Sequence, residues 1–266
     1  MRLVVVLFGC AALSPTIRAE VIALTNGSER CAIDTQGGRV LSYAVDGQEL
    51  LWMPEGELGD DPIWRHGGIP IAWPWFGRIG KGDENIHGYA WKQPLVVKSR
   101  AADGLVLSLK TESAVLEYSI RIDNGLSLAL QTTNMSAFDL PIGVAFHPYF
   151  RVGERDRTFV SGIDTDAIAV TNAIDRGVRF DAVKPCCAYL LADRARNLLV
   201  RISAENSSGV NLWNPGREKQ CPGVVPADEW RHFVAVEPYA MGQNRFLVLK
   251  PKQVHVLKMK VKTVGD

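Results

Sequence analysis

Two short stretches carry residue types that could move protons. The first is "AFHPYF" at positions 145–150, where His147 stands among three aromatic rings and a proline. The second is "FVAVEPYA" at positions 233–240, where an apolar run delivers Glu237 just before Pro238. An imidazole against an apolar wall titrates near neutral pH and can pass a proton either way. A carboxylate that leaves an apolar strand where a proline must weaken the ladder is poised at a sheet rim, and desolvation there makes it a better base. Together they supply a general acid and a general base. Each also has a plainer reading: a core histidine with one ring nitrogen satisfied by a backbone carbonyl, and a surface glutamate at a strand end.

A third stretch, "IWRHGGIPIAWPWFGRIGKGDENIHGYAW" at positions 63–91, gathers four tryptophans (Trp64, Trp73, Trp75, Trp91) with Arg65, His66, Arg78 and His87 on a backbone punctuated by Gly and Pro. Flat apolar faces beside fixed donors suit a sugar, whose axial C–H groups stack on rings while its hydroxyls take the hydrogen bonds. The alternative is that the tryptophans are core and the cations a solvated rim.

The elements that must hold these groups read as strands. "RVLSYAV-DG-QELLW" (39–52), "LVVKSRAA-DG-LVLSLKT" (95–111) and "AVLEYSIRID-NG-LSLALQTTN" (114–134) each place Asp-Gly or Asn-Gly between β-type runs, where positive φ is cheap and a hairpin fits. Leu116, Tyr118, Ile120 and Ile122 alternate with polar or small residues, and Leu257, Met259 and Val261 alternate with lysines, so each strand has one dry and one wet face. No helical period of about 12 residues or more is found, nor the strand-helix alternation of a parallel sheet. The expected fold is all-β, a large antiparallel sandwich in one domain over residues 20–266. The segment 53–94 is too long to be a mere connector, and function is expected there.

Composition narrows the partners. A chain of 266 residues with 47% hydrophobic content and a formal net charge of +1 can bury a core and has no excess charge to draw polyanions, so nucleic acid is not an expected partner. "MRLVVVLFGCAALSPTIRAE" reads as a secretory signal over residues 1–19: an arginine, an apolar run from Leu3 to Leu13, and a small residue, Ala19, at the cleavage point. The mature protein is then expected to be periplasmic or secreted, with no insertion in the membrane. Cys31, Cys186, Cys187 and Cys221 would remain; adjacent Cys186 and Cys187 rarely bond each other, and spacing cannot choose among the pairings. No cysteine or histidine spacing suggests a metal site, and no cofactor is called for.

The motifs "HGGIPIAWPWFGRIG", "HGYAW", "AFHPYF", "LWNPG" and "FVAVEPYA" occur in the order and approximate spacing of the aldose 1-epimerase (galactose mutarotase-like) superfamily, which the chain resembles from about residue 30 to its C-terminus. The nearest resemblance is to the glucose-6-phosphate 1-epimerase branch. It implies a β-supersandwich with a shallow sugar cleft, His147 as general acid, Glu237 as general base and His87 as a substrate-binding histidine. It also implies Arg78 as the arginine that contacts sugar hydroxyls, and a substrate-binding aspartate for which Asp175 and Asp181 are candidates, Asp181 being preferred; Arg65, in the same loop but one position early for the family's arginine, is a further candidate for substrate binding. The implied reaction interconverts α and β anomers of a sugar by acid and base catalysis and needs no cofactor; the protein is expected to be a monomer.

Two departures bear on the substrate. His66 stands where the phosphate-sugar branch has an arginine directly before Gly-Gly, and Trp91 stands where "HGFAR" ends in arginine. Neither reproduces the planar fork that binds two phosphate oxygens at once. A free hexose is therefore the expected substrate. The alternatives kept open are a hexose 6-phosphate, and a sugar-binding module of the same fold without turnover.

Overall fold

The computed structural model describes residues 18–54, 66–80, 85–162, 168–169, 178–181, 186–216, 225, 228–242 and 244–265; for 168–169, 178–181, 186 and 187 it describes the backbone alone. Most of the signal segment, Arg65, Asp175 and Cys221 lie outside these residues.

Regular structure among them is strand, apart from a few short 3-10 turns. A nine-stranded antiparallel sheet runs in the order Ile168–Ala169, Thr158–Ser161, Cys186–Asp193, Leu198–Glu205, Val254–Thr263, Leu126–Asn134, Ala114–Ile122, Gly104–Lys110, Val96–Arg100. The second large sheet runs Val178–Asp181, Gly209–Trp213, Phe233–Ala240, Val144–Phe146, Ile71–Ala72, and Tyr149–Arg151 also pairs with Phe233–Ala240. A four-stranded sheet over residues 21–49 and a two-stranded ribbon, Leu140–Ile142 with Leu247–Leu249, complete the sheets among the described residues.

The two-residue period of the sequence is what the sheets express. Leu116, Tyr118, Ile120 and Ile122 are buried to within 1% of their surface, and so are Leu257, Met259 and Val261 on a neighbouring strand. The inner face of the nine-stranded sheet meets Phe146, Val210, Leu212, Val234 and Val236 of the second sheet in one continuous apolar cluster. At about 1.5–3 kcal/mol per buried Leu, Ile, Val or Phe side chain, this layer is the main force holding the two sheets face to face.

Asp46-Gly47 and Asn124-Gly125 turn their hairpins with positive φ, as their residue types require. The third hairpin is shifted by one residue: Arg100 pairs with Leu105, the Ala101 N–H donates to the Gly104 carbonyl at 2.7 Å, and Gly104 opens the following strand instead of occupying the turn.

The second sheet decides where function can sit. Its even-numbered residues Val234 and Val236 point into the core, so Phe233, Ala235, Glu237 and Tyr239 must point the other way. On that outer face two small apolar clusters form, one around Trp52, Tyr149, Trp230 and Phe233, the other around Phe76, Ala145, Tyr239 and Met241. Glu237 lies between them.

Candidate active site

The acid and base candidates meet because two prolines open one ladder. Ala145 pairs with Tyr239, and Tyr149 pairs with Ala235. Continuing that register through the gap sets His147 opposite Glu237, and the residues beside them are Pro148 and Pro238, neither of which can donate a ladder hydrogen bond. The strand runs through Pro238 to Ala240, so Glu237 is in mid-strand and not at the rim expected from the sequence. Its side chain is fully buried, and His147 Nε2 lies 3.4 Å from Glu237 Oε1. Asn211, directly across the ladder on the other side, donates from Nδ2 to Glu237 Oε2 at 3.0 Å.

His87 is placed by its own loop. Gly77 N–H donates to His87 Nδ1 at 3.2 Å, while His87 N–H donates to the Gly77 carbonyl at 2.9 Å. With Nδ1 committed as an acceptor, the neutral ring carries its proton on Nε2. The residue adopts φ +64, and Gly88 follows at φ +80 with no room for a side chain: a Cβ would lie 2.1 Å from the Trp73 carbonyl oxygen. The "HG" pair is therefore a backbone requirement as well as a chemical one. His87 stands edge-on to His147, ring centroids 5.2 Å apart.

Aromatic rings close the remaining sides of His147. Tyr149 stacks on it at 4.8 Å, Trp213 stands at 6.2 Å and Phe76 at 6.4 Å. His66 joins this wall, 5.6 Å from both Tyr149 and Trp213. Burial lowers the His147 pKa well below the ordinary histidine range, helped by His87 and His66. Near-neutral titration was the sequence expectation; the depth of the site overrides it. Burial likewise pushes His87 down to about 3, with His66 and Arg78 adding to the effect. Both imidazoles are thus neutral in the free protein at physiological pH.

The other expected site residues fare differently. Arg78 is exposed, at the end of the "WPWFGR" segment, close enough for its charge to act on His87. Asp181 ends the strand Val178–Asp181 at the register position of Gly209, whose other partner is Tyr239; its side chain is not described. Of the tryptophans considered for a sugar wall, Trp64 lies outside the described residues, and the indole N–H groups of the other three are bonded within the protein. Trp73 is fully buried and donates to Thr132 Oγ1 at 3.0 Å. Trp75 donates to the Asn85 carbonyl, and Trp91 to the carbonyls of Ile86 and Gly88, so both staple the His87 loop.

Asn211 and Trp213 were missed as site residues. The signal was present in "NLWNPG": in a strand with one face on the core, residues 211 and 213 must share the face opposite Val210 and Leu212. Asn214 of the same motif is structural, donating to the carbonyls of Trp230 and Phe233 and so fixing the start of the Glu237 strand. Among the described residues no group of three His, Cys, Asp or Glu side chains could hold a metal ion. Cys31 is a buried free thiol.

A sandwich with a buried imidazole–carboxylate pair on its outer sheet face presents a candidate proton-transfer site. Residues 20–187 match the family model described as aldose 1-epimerase, and the chain belongs to that family. It is an enzyme of the epimerase class. It is 26% identical over 260 residues to an Escherichia coli K12 protein named "Putative glucose-6-phosphate 1-epimerase", covering 89% of this chain and 88% of the relative. Among solved structures it is similar in fold to a Salmonella typhimurium protein described as "a putative mutarotase" (TM-score 0.78, 20% identity, covering 93% of this chain and 91% of the other). The "galactose mutarotase related enzyme" of Lactobacillus acidophilus has the same fold (TM-score 0.76, 14% identity, 92% and 98% covered).

Proposed function

We propose that the protein is a mutarotase for a free hexose, with Glu237 as general base and His147 as general acid. The observation that carries this reading is the buried approach of His147 Nε2 to Glu237 Oε1 at 3.4 Å, on a sheet face walled by aromatic rings. Glu237 takes the proton of the C1 hydroxyl; the C1–O5 bond breaks with its electrons on O5; His147 protonates O5. Rotation about C1–C2 and the reverse steps close the other anomer, and each group regains its starting state. Such acid and base catalysis contributes on the order of 10²–10⁴-fold per group. Because burial disfavours a lone charged imidazole, His147 takes up the proton it donates only against the Glu237 carboxylate when the sugar binds; the reacting pair is then imidazolium and carboxylate, ring opening converts it to neutral imidazole and carboxylic acid, and its net charge stays zero throughout. His87 Nε2–H is the donor for a sugar hydroxyl beside the reacting carbon, and Asn211 keeps Glu237 aimed.

The free hexose is favoured by Trp91, whose indole N–H is spent on its own loop, and by His66 in place of an arginine. The names of the relatives favour the second reading, a hexose 6-phosphate. Exchange NMR on glucose and glucose 6-phosphate at equal concentration and fixed ionic strength separates them: the free sugar is expected to show the larger kcat/KM, and a tenfold preference for the phosphate would overturn the assignment. We also propose export through the signal at residues 1–19; mass spectrometry of protein from its host should find a mature N-terminus near Glu20, and an intact Met1 would refute it.

A further inference from the structure

The outer face of the second sheet carries another recess, beyond the aromatic cluster that backs His147. Arg151 follows Tyr149 by two residues and so lies on the same sheet face, on the far side of Trp52 and Phe233, which stack at 4.4 Å. The recess has a volume of about 600 Å³, and Gln48, Arg151, Gly153, Arg196, Glu229 and His232 lie around it. That is within the range of about 300–1,000 Å³ typical of small-molecule sites.

Its charges are arranged unevenly. Arg196 is pinned at the floor: Nη1 donates to the Arg151 carbonyl at 2.9 Å and Nη2 to the Glu49 carbonyl at 2.6 Å. Asp193, 3.9 Å from Arg196 Nε, is occupied by the backbone N–H groups of Gly153, Ala195 and Arg196. The two rim carboxylates are likewise committed to protein donors. Glu49 accepts from the Tyr43 and Leu51 N–H groups and from Ser42 Oγ, and Glu229 Oε2 accepts from Trp52 Nε1 at 2.7 Å. Arg151 is exposed and makes no ion pair among the described residues, although it stands close enough for its charge to act on Arg196. Two like-charged guanidinium groups are therefore held together at one recess, one rigid and one free to swing.

We propose that this recess is a second ligand site, separate from the catalytic pair, for a small hydroxylated oxyanion: a phosphate ester or a carboxylate held by the guanidinium groups of Arg151 and Arg196. Planar guanidinium forks match two oxygens of either anion. Gln48 and the remaining carboxylate oxygen of Glu229 stand where ligand hydroxyls would be met.

Isothermal titration calorimetry on the full chain tests this with inorganic phosphate, glucose 6-phosphate and glucuronate, each repeated on Arg151→Glu and on Glu237→Gln. Saturable binding of at least one anion is expected, weakened about tenfold or more by Arg151→Glu and unchanged by Glu237→Gln. Binding of phosphate and glucose 6-phosphate alone identifies a phosphate site; binding of glucuronate identifies a carboxylate site. Arg151→Glu should leave glucose mutarotation unaltered. The proposal is overturned if none of the three anions binds, if binding survives Arg151→Glu, or if Glu237→Gln abolishes it and so places the anion in the catalytic cleft.

Discussion

Replacing Glu237 by Gln removes the proposed base while keeping the shape of a fully buried side chain. The amide oxygen can still accept from Asn211 Nδ2, now 3.0 Å from Oε2, and the amide nitrogen can donate toward His147. Losing a charged acceptor costs about 1 kcal/mol of hydrogen-bond strength, and removing a buried charge offsets it. Net stability should therefore change by less than about 2 kcal/mol, or roughly 4–8 °C in Tm for a chain of this size. Activity should fall far more, by about 10²–10⁴-fold, which corresponds to ~2.7–5.4 kcal/mol of transition-state stabilisation. His147→Asn should do the same from the acid side. If the two groups pass one proton as a unit, the double variant should be little worse than either single one, instead of showing the product of the two losses. Polarimetry on freshly dissolved α-glucose, with the uncatalysed rate subtracted, measures all three. A Glu237→Gln protein with unchanged Tm and more than about a tenth of the original rate would remove Glu237 from the catalytic role. Multiplying losses in the double variant would refute the shared-proton account.

Two further predictions rest on the His87 loop. Gly88→Ala places a Cβ 2.1 Å from the Trp73 carbonyl oxygen at φ +80, so strain of about 1–2 kcal/mol from the backbone alone is expected before the clash is counted; calorimetry should show a lower Tm together with lost activity, and a neutral result would mean that the loop is not held as described. Acid should destabilise the protein. His87 and His147 have folded-state pKa values below that of an unfolded histidine, so the unfolded chain binds more protons and stability falls as pH drops below about 6.5, levelling for His87 only near 3. At pH 5 the His87 contribution is about 2 kcal/mol. Urea midpoints between pH 7.5 and 4.5 should fall accordingly, and His87→Asn should flatten the slope; a slope that is unchanged in that variant would refute the assignment.

Local signals proved legible where the physics is local. Asp46-Gly47 and Asn124-Gly125 announce turns because positive φ is a property of the residues themselves, and the alternation of Leu257, Met259 and Val261 with lysines announces a half-wet strand wherever it packs. Order-dependent signals also carried: five motifs in sequence placed His147, Glu237 and His87 in one site, and the structure brings all three together. What sequence reading missed depends on register between distant strands. Asn211 matters because it pairs with Glu237, a relation fixed by how the Gly209–Trp213 and Phe233–Ala240 strands align and invisible in either segment alone. Trp73 stayed undecided between sugar wall and core because composition shows an indole near glycines and cations but not which way it turns.

The misplacement of Glu237 has the most instructive cause. Pro238 was read as the end of a ladder, since proline removes a donor, and a strand end lies in water. The facing strand carries a second proline, Pro148, opposite Val236, while Pro238 stands opposite Phe146, so that one side of the ladder loosens over Phe146–Pro148 while the other, against Asn211 and Leu212, remains intact. A break on one side only lets the strand continue and keeps Glu237 at full burial. In that gap one backbone bond persists, Val236 N–H to the Pro148 carbonyl at 3.3 Å, and a side-chain contact, His147 to Glu237, is added to it. The two flanking registers, Ala145 with Tyr239 and Tyr149 with Ala235, fix the backbone on both sides of the pair, so the arrangement that the proposed ring opening requires is supported by the fold before any sugar arrives.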